Sequence, residues 1–316
     1  MKIVIDDKIP YICGVFERFA DIFYLGGADI STKDLCDADA LIIRTRTRCT
    51  QELLERTKVG VIATATIGFD HIDLDYCQGR SIEVHRAAGC NARAVGQWVF
   101  AALKEMGKDR GVIGIIGVGN VGSEVQNMAR ERGYTTLLCD PPRAQREGRE
   151  GFVELEELLQ KADIITIHTP LEESTRGMVN KEFLAQTKEG VILLNSSRGE
   201  VVVEEELIKA IESGKIQKCA LDVWANEPNI NQKLLPLTKI ATPHIAGYSA
   251  RGKARGTEMV VRAIAKNLGI KELKTWEVEQ KFEMEDPDHY NIIADDKSLR
   301  STPLSFEKLR GEYRYR

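Results

Sequence analysis

No cationic excess, no long apolar run and no paired-cysteine motif occur in this chain, and each absence removes a class of protein. Lys and Arg number 44 against 48 Asp and Glu, a net charge of −4. The clustered positive charge that a phosphate backbone demands is therefore missing, and nucleic acid is not an expected partner. No stretch approaches the roughly 18–20 apolar residues of a membrane span, so no membrane partner is expected either. The start, Met1-Lys2-Ile3-Val4-Ile5-Asp6-Asp7, turns acidic at once, unlike a secretory signal. The seven cysteines are odd in number, widely spaced and without Cys-x-x-Cys. That spacing points to reduced thiols in a cytoplasmic protein rather than to a disulfide frame or a zinc site. Repeats and low-complexity tracts are also lacking.

What remains is an ordinary globular composition, 43% hydrophobic and 29% charged, over 316 residues. That length exceeds one ordinary core, so two domains are expected. Short apolar strands alternate with helical patterns from the first residue. Strands are expected at 3–5, 40–45, 59–64 and 82–84, with helices at 10–20 and 51–56. After an amphipathic stretch at 92–106, strands follow at 112–116, 135–139, 164–168, 191–195, 220–223 and 240–242, and a helix at 255–268. Continuous apolar strands separated by helices predict parallel sheets covered on both faces. The fold class expected is α/β, with two doubly wound parallel-sheet domains and a short C-terminal extension.

Gly117-Val118-Gly119-Asn120-Val121-Gly122 follows the expected strand 112–116 and opens a helix. A bare match to this glycine pattern is weak, but the strand before and helix after it supply the required context. Gly117 permits the tight turn, Gly119 lets backbone approach a pyrophosphate, and Gly122 lets the helix pack on the sheet. Asp140 ends the next strand, 23 positions after Gly117. A carboxylate there accepts the ribose hydroxyls and repels a 2′-phosphate, so the cofactor expected is NAD rather than NADP. Arg143 lies nearby, and Pro141-Pro142 are expected to hold it in an extended path.

Arg198, Glu227 and His244 each stand just past a short apolar run. Oxidising a carbon that bears a hydroxyl needs a base for the proton and a cation for the neighbouring carboxylate. His244 suits the base, Glu227 can orient its ring, and Arg198 can fork onto a carboxylate. Singly, a histidine, an arginine or a Glu-Pro after a strand is more often structural. Together at strand carboxyl ends, where open α/β sheets place ligands, they form a catalytic candidate. His168 also ends a strand, but cofactor contact through Thr169 is expected there instead. His71 reads as structural, and Cys90 as a small buried neighbour of the site.

These motifs resemble the D-isomer-specific 2-hydroxyacid dehydrogenase family over roughly residues 1–270. The resemblance implies catalytic roles for Arg198, Glu227 and His244. It implies a Rossmann NAD domain (92–249) inserted in a flavodoxin-like substrate domain (1–91 with 250–270), leaving 271–316 as an extension or remnant dimerisation region of a homodimer. Within the family, the strings Cys139-Asp140-Pro141-Pro142-Arg143-Ala144 and His244-Ile245-Ala246-Gly247-Tyr248 are similar to a branch whose substrate carries a phosphate besides its carboxylate. By that resemblance Thr45, Thr66 and Tyr248 touch substrate, while Asn120, Val121, Asp140, Thr169, Ser196, Ser197, Asp222 and Gly247 line the cofactor. The phosphate calls for extra cations. Arg44, Arg46 and Arg48 alternate with Thr45 and Thr47 and would share one face if the strand continued; Lys253 and Arg255 are further candidates. Ile67 and Phe69 are bulkier than the family pattern. The tail is either a docking arm or poorly ordered. Other D-2-hydroxyacid dehydrogenases, 3-phosphoglycerate dehydrogenase among them, and a non-catalytic NAD-sensing protein remain the alternatives.

Overall fold

The computed structural model describes residues 1–282 and 285–316. Its chain divides into two compact units, Met1–Asn91 with Ala250–Glu283, and Ala92–Ser249 with Met284–Arg316. Each is built on a wholly parallel sheet, the α/β architecture expected from strand–helix alternation.

The first unit holds β1 (Lys2–Asp6), β2 (Asp21–Leu25), β3 (Ala40–Ile43), β4 (Val61–Thr64) and β5 (Glu83–Arg86), in the order β2-β1-β3-β4-β5. Strand β3 shows why it reads as an unbroken apolar run. Ala40 and Ile42 enter the core on one face of the sheet, Leu41 and Ile43 the core on the other. Successive side chains point to opposite faces, so a strand covered on both sides needs an apolar residue at every position. The helix Ala250–Asn267 contributes Val260, Val261 and Ile264 to the first of these cores.

The second unit holds β6 (Val112–Ile116), β7 (Thr135–Cys139), β8 (Ile164–Ile167), β9 (Val191–Asn195), β10 (Ile216–Leu221) and β11 (Ile240–Ala241), in the order β11-β10-β9-β8-β6-β7. The direction of winding reverses between β6 and β8. At such a switch point the connections leave the sheet on opposite faces, opening a crevice at the strand carboxyl ends. The fully buried helix face Trp98–Leu103 packs on one side of this sheet, Leu158, Phe183 and Leu207 on the other.

Four expectations need correction. Residues 10–20 form successive turns instead of a helix, because Tyr11 (φ 63°) and Gly14 (φ 85°) take left-handed conformations that break helical hydrogen bonding. Their apolar spacing still reflected burial: Ile9, Ile12 and Phe16 all sit in the core. Strand β2 went unread because it is an edge strand with an alternating, partly exposed pattern. Strand β3 stops at Ile43, and Thr45–Thr47 turn away with Thr47 buried and its hydroxyl donating to the Gly27 carbonyl at 2.7 Å. Arg44, Arg46 and Arg48 therefore do not share a strand face. Pro141–Glu147 is a helix, capped by Asp140 and opened by proline at its first positions, where the missing N–H costs nothing; Arg143 is not on an extended path.

The stretch 271–316 is not a single extension. Its first part packs with the first unit, where Leu273 joins the core, and the remainder packs with the second. There the helix Ile292–Ser301 buries Leu299, and the helix Phe306–Gly311 buries Phe306. Asp296 accepts the Ala241 N–H at 2.8 Å, and Arg300 donates to the carbonyls of Leu235 and Thr238, both at 2.8 Å.

Candidate active site

The glycine loop behaves as its spacing demands. Gly117 has φ 85°, and a Cβ there would lie 2.8 Å from the backbone of His168 and Thr169; a Cβ on Gly122 would lie 2.0 Å from the Gly117 carbonyl oxygen. Both positions need glycine for close approach. Gly119 differs: a Cβ there would meet nothing within 4 Å. The loop thus leaves open space at Gly119, where the helix Asn120–Glu131 begins with Asn120 and Val121. Unpaired N–H groups at a helix N-terminus favour an anion in that space.

The same crevice holds polar atoms without protein partners. Thr169 Oγ1, past β8, and Ser196 Oγ, past β9, are buried and unbonded. Buried hydroxyls are ordinarily satisfied, so these fit a polar ligand across the strand ends. Ser197 does not join them, since its N–H and hydroxyl both donate to Asn195 Oδ1, at 3.0 and 2.8 Å. Asp140 accepts the N–H of Val118 at 2.7 Å and of Arg143 at 2.9 Å, which ties it to the glycine loop. Arg143 folds back to donate to the Val118 carbonyl (2.6 Å), Ser123 Oγ (2.9 Å) and Glu147 (2.8 Å). With its guanidinium so engaged beside an acidic residue, the site suits the unphosphorylated ribose of NAD.

Asp222 lies at the centre of the next loop pair. Its carboxylate is 1% exposed and accepts the Thr242 hydroxyl (2.6 Å), the Ile245 N–H (2.8 Å) and the Ala246 N–H (2.9 Å). Expected as a cofactor contact, it serves in this structure to pin the turn that carries His244. His244 itself has φ 58°, and its N–H donates to the Asp222 carbonyl at 2.7 Å. A non-glycine residue held left-handed costs of order 1–3 kcal/mol and persists where neighbours over-determine it. Here Asp222 does so. Gly247 and Tyr248 continue the turn, with the Tyr248 N–H donating to the Ile245 carbonyl at 2.8 Å.

That turn delivers His244 Nδ1 to Glu227 Oε2 at 2.8 Å, while Glu227 Oε1 accepts the Trp224 N–H at 3.0 Å. Burial favours the neutral acid. The His244 hydrogen bond and charge, the Trp224 N–H and the Arg310 guanidinium outweigh it, so Glu227 stays ionised below its ordinary range. Arg198 stands past β9, its Nη1 donating to the Ser197 carbonyl at 2.7 Å. Gly199 brings its loop against the neighbouring one: a Cβ there would lie 1.9 Å from the Trp224 carbonyl carbon. The structure therefore joins His244 to Glu227 directly, and sets Arg198 on the adjacent strand end through backbone packing.

The residues expected to touch substrate from the first unit have local partners. Arg44 forks onto Asp6, at 3.2 Å to each carboxylate oxygen, and Asp6 is fully buried. Thr45 and Arg46 are exposed. Thr66 Oγ1 lies 2.6 Å from Thr64 Oγ1, which contacts His71 Nε2 at 3.2 Å. Burial pushes the His71 imidazole below its usual range, with Asp70 partly opposing. In the second unit His168 Nε2 lies 2.9 Å from Thr166 Oγ1, while its buried Nδ1 has no protein partner.

Sequence reasoning missed Gly199, Arg310 and Arg316. Gly199 was visible as the glycine after Arg198. The two arginines carried little local signal, because Glu227 beside Arg310 and the Ala94, Gln97 and Ile245 partners of Arg316 are remote in sequence. Arg316 donates to the carbonyls of Ala94, Ile245, Ala246 and Tyr248 and to Gln97 Oε1, with distances of 2.5–3.1 Å, and lies over the Tyr290 ring at 4.0 Å.

Known proteins share sequence and fold with this chain. Residues 83–246 match the family model for the D-isomer specific 2-hydroxyacid dehydrogenase, NAD binding domain. The chain is 43% identical to the erythronate-4-phosphate dehydrogenase of Bacteroides thetaiotaomicron, over 99% of this chain and 96% of that one. Identity is 38% to the erythronate-4-phosphate dehydrogenase of Yersinia pestis, over 100% of this chain and 92% of that one. Among solved structures, the TT0316 protein of Thermus thermophilus aligns with a TM-score of 0.71 and 26% identity, covering 85% of this chain and 97% of that one.

Proposed function

Because the chain belongs to the D-isomer-specific 2-hydroxyacid dehydrogenase family, we propose that it oxidises 4-phospho-D-erythronate with NAD to 2-oxo-3-hydroxy-4-phosphobutanoate, a step of pyridoxal 5′-phosphate biosynthesis. The observation that carries this reading is the His244–Glu227 pair, held at 2.8 Å on a turn whose left-handed backbone Asp222 maintains. NAD, when bound, would supply the acceptor for the hydride of the carbon that bears the hydroxyl. Everything else falls to side chains of this protein.

Neutral His244 carries its proton on Nδ1, facing the Glu227 carboxylate, which leaves Nε2 as the base. Nε2 takes the substrate hydroxyl proton as the C–H electron pair departs and the C=O bond forms. Glu227 stabilises the imidazolium so produced and fixes the ring plane. Arg198 supplies a guanidinium for the substrate carboxylate and the developing carbonyl oxygen, where charge grows. Gly117, Gly119 and Gly122 shape the pyrophosphate seat, Asp140 suits the ribose, and Thr169 and Ser196 offer the buried hydroxyls that no protein group uses. For the substrate phosphate we assign Arg44, Arg46 and Thr45, with Thr66 and Tyr248 as further contacts. A homodimer in the cytoplasm is part of the same proposal; the odd number and wide spacing of the seven cysteines accord with a reducing compartment, and sedimentation measures the assembly.

The test is absorbance of reduced cofactor when the protein and NAD meet 4-phosphoerythronate, 3-phosphoglycerate or unphosphorylated 2-hydroxy acids. The highest kcat/KM is expected with 4-phosphoerythronate. Preference for phosphoglycerate overturns the substrate assignment, and silence with every acid favours an NAD-sensing protein.

A further inference from the structure

One cation outside the trio reaches it. Arg310 belongs to the helix Phe306–Gly311, anchored by fully buried Phe306 in the core beneath β8–β11. Its Nη1 is 4.0 Å from Glu227 Oε2, the same oxygen that His244 Nδ1 approaches at 2.8 Å. Its guanidinium also hydrogen-bonds Tyr248, whose ring packs edge-on against Tyr313 and Tyr315, at 6.1 and 6.0 Å between centroids. The Arg310 side chain is only 31% exposed, so its field is less screened than that of a surface cation.

We propose that Arg310 is a positioning residue of the reaction: sharing the Glu227 oxygen with His244, it limits how strongly the carboxylate holds the imidazolium, and it fixes Tyr248 beside the base. The inference rests on the assignment of His244 and Glu227 as base and partner. A histidine paired with a carboxylate alone keeps its proton to higher pH, which depletes the neutral base. A guanidinium at the same oxygen offsets part of that attraction. Among the described residues, further charged groups stand near the pair. Glu307 lies 3.8 Å from Arg310 Nη1 and partly neutralises it. Glu204 accepts the Ala225 N–H close by, and Asp222 is committed to the backbone N–H groups after His244. Arg198, past the adjacent strand, is assigned to the substrate carboxylate, and Arg310 is the guanidinium that reaches the Glu227 oxygen shared with His244.

The test is an NMR titration of the His244 imidazole in the full chain, assigned by its loss in His244→Gln, for the parent, Arg310→Gln, Arg310→Lys and Glu307→Gln. Arg310→Gln is expected to raise the His244 pKa by about 0.5 to 1, and Arg310→Lys to restore the parental value. Glu307→Gln, which frees the Arg310 charge, is expected to lower it slightly. The acidic limb of kcat/KM for NAD-linked oxidation is expected to move up by the same amount in Arg310→Gln. A His244 titration unchanged in Arg310→Gln overturns the proposal whether or not any acid is oxidised. If that variant does not fold, an unchanged titration in Glu307→Gln overturns it. Failure of the functional reading shows separately, as a parent protein that reduces no NAD.

Discussion

Two parallel sheets wound in the same way end in opposite chemistry. In the first unit β1 lies between β2 and β3; in the second β6 lies between β7 and β8, so each has a switch point after its first strand. Past β6 the chain runs Gly117-Val118-Gly119, with open space at Gly119 and buried hydroxyls on Thr169 and Ser196 that no protein group satisfies. Past β1 it runs Asp6-Asp7-Lys8. The Asp6 carboxylate is fully buried, forked by Arg44 and bonded by the Lys8 N–H at 2.9 Å. A carboxylate in that turn excludes the pyrophosphate that the glycine loop welcomes; the substrate phosphate assigned to Arg44, Arg46 and Thr45 is met by guanidinium groups instead. One switch point is built to be completed by a dinucleotide; the other fills that space with its own ion pair. Winding order sets where a ligand can bind, and the residues at the turn decide which one does.

The sharpest way to break this contrast is to remove the base. His244→Gln keeps the shape of the side chain while removing the proton acceptor, so turnover is expected to fall about 10²–10⁴-fold with NAD affinity nearly unchanged. Stopped-flow hydride transfer and cofactor titration by fluorescence check the two halves. Equal loss of cofactor binding shows that the histidine is structural.

The self-completed switch point makes the complementary prediction. Arg44→Met strands the buried Asp6 charge and is expected to destabilise the first unit by about 2–3 kcal/mol, below the full cost of a broken buried pair because Arg44 is partly solvated. Chemical denaturation measures the loss, and NAD affinity is expected to stay at the parental value. A drop in NAD affinity matching the loss of stability defeats the contrast.

Filling the open switch point has a smaller effect. Gly119 has φ −75° and an unobstructed Cβ direction, so Gly119→Val is expected to leave the ligand-free melting temperature unchanged. Bulk in the pyrophosphate space costs about 1–3 kcal/mol of binding, roughly 5–150-fold in the NAD dissociation constant. Calorimetric titration with NAD decides, and unaltered affinity means that the cofactor does not use this loop.

What the sequence made legible follows the same division. The inner strands β6, β8 and β9 of the second unit were readable because they are buried on both faces, and the glycine loop because its spacing encodes close approach. The trio was proposed from residue type at strand ends, since chemistry restricts which side chains can move a proton or hold a carboxylate; the structure brings His244 and Glu227 of it together. The turns over 10–20 were misread because Ile9, Ile12 and Phe16 bury at helical spacing while Tyr11 and Gly14 turn left-handed, which periodicity cannot register. The part Asp222 plays in the His244 turn was illegible because its carbonyl and carboxylate serve residues more than 20 positions away. Arg310 and Arg316 were illegible for the same reason: Glu227, and the Ala94, Gln97 and Ile245 partners of Arg316, are far off in sequence, and the polar composition of their segment hides Leu299 and Phe306.

The smallest expected effect concerns acid stability of the second unit. Glu227 is held ionised below its ordinary value despite burial, chiefly by His244. A carboxyl whose folded pKa is depressed binds fewer protons folded than unfolded as pH falls past the unfolded value. Its stabilisation is therefore complete above about pH 4.5, the ordinary glutamate range, and disappears as pH falls through the lowered folded value. Glu227→Gln is expected to melt at a lower temperature than the parent at pH 6, and the gap to close as pH falls through the lowered folded value. Calorimetric scans of both proteins between pH 6 and 3.5 follow this difference. A gap constant with pH would mean that Glu227 contributes packing rather than charge, and the ionised partner assigned to His244 would be lost with it.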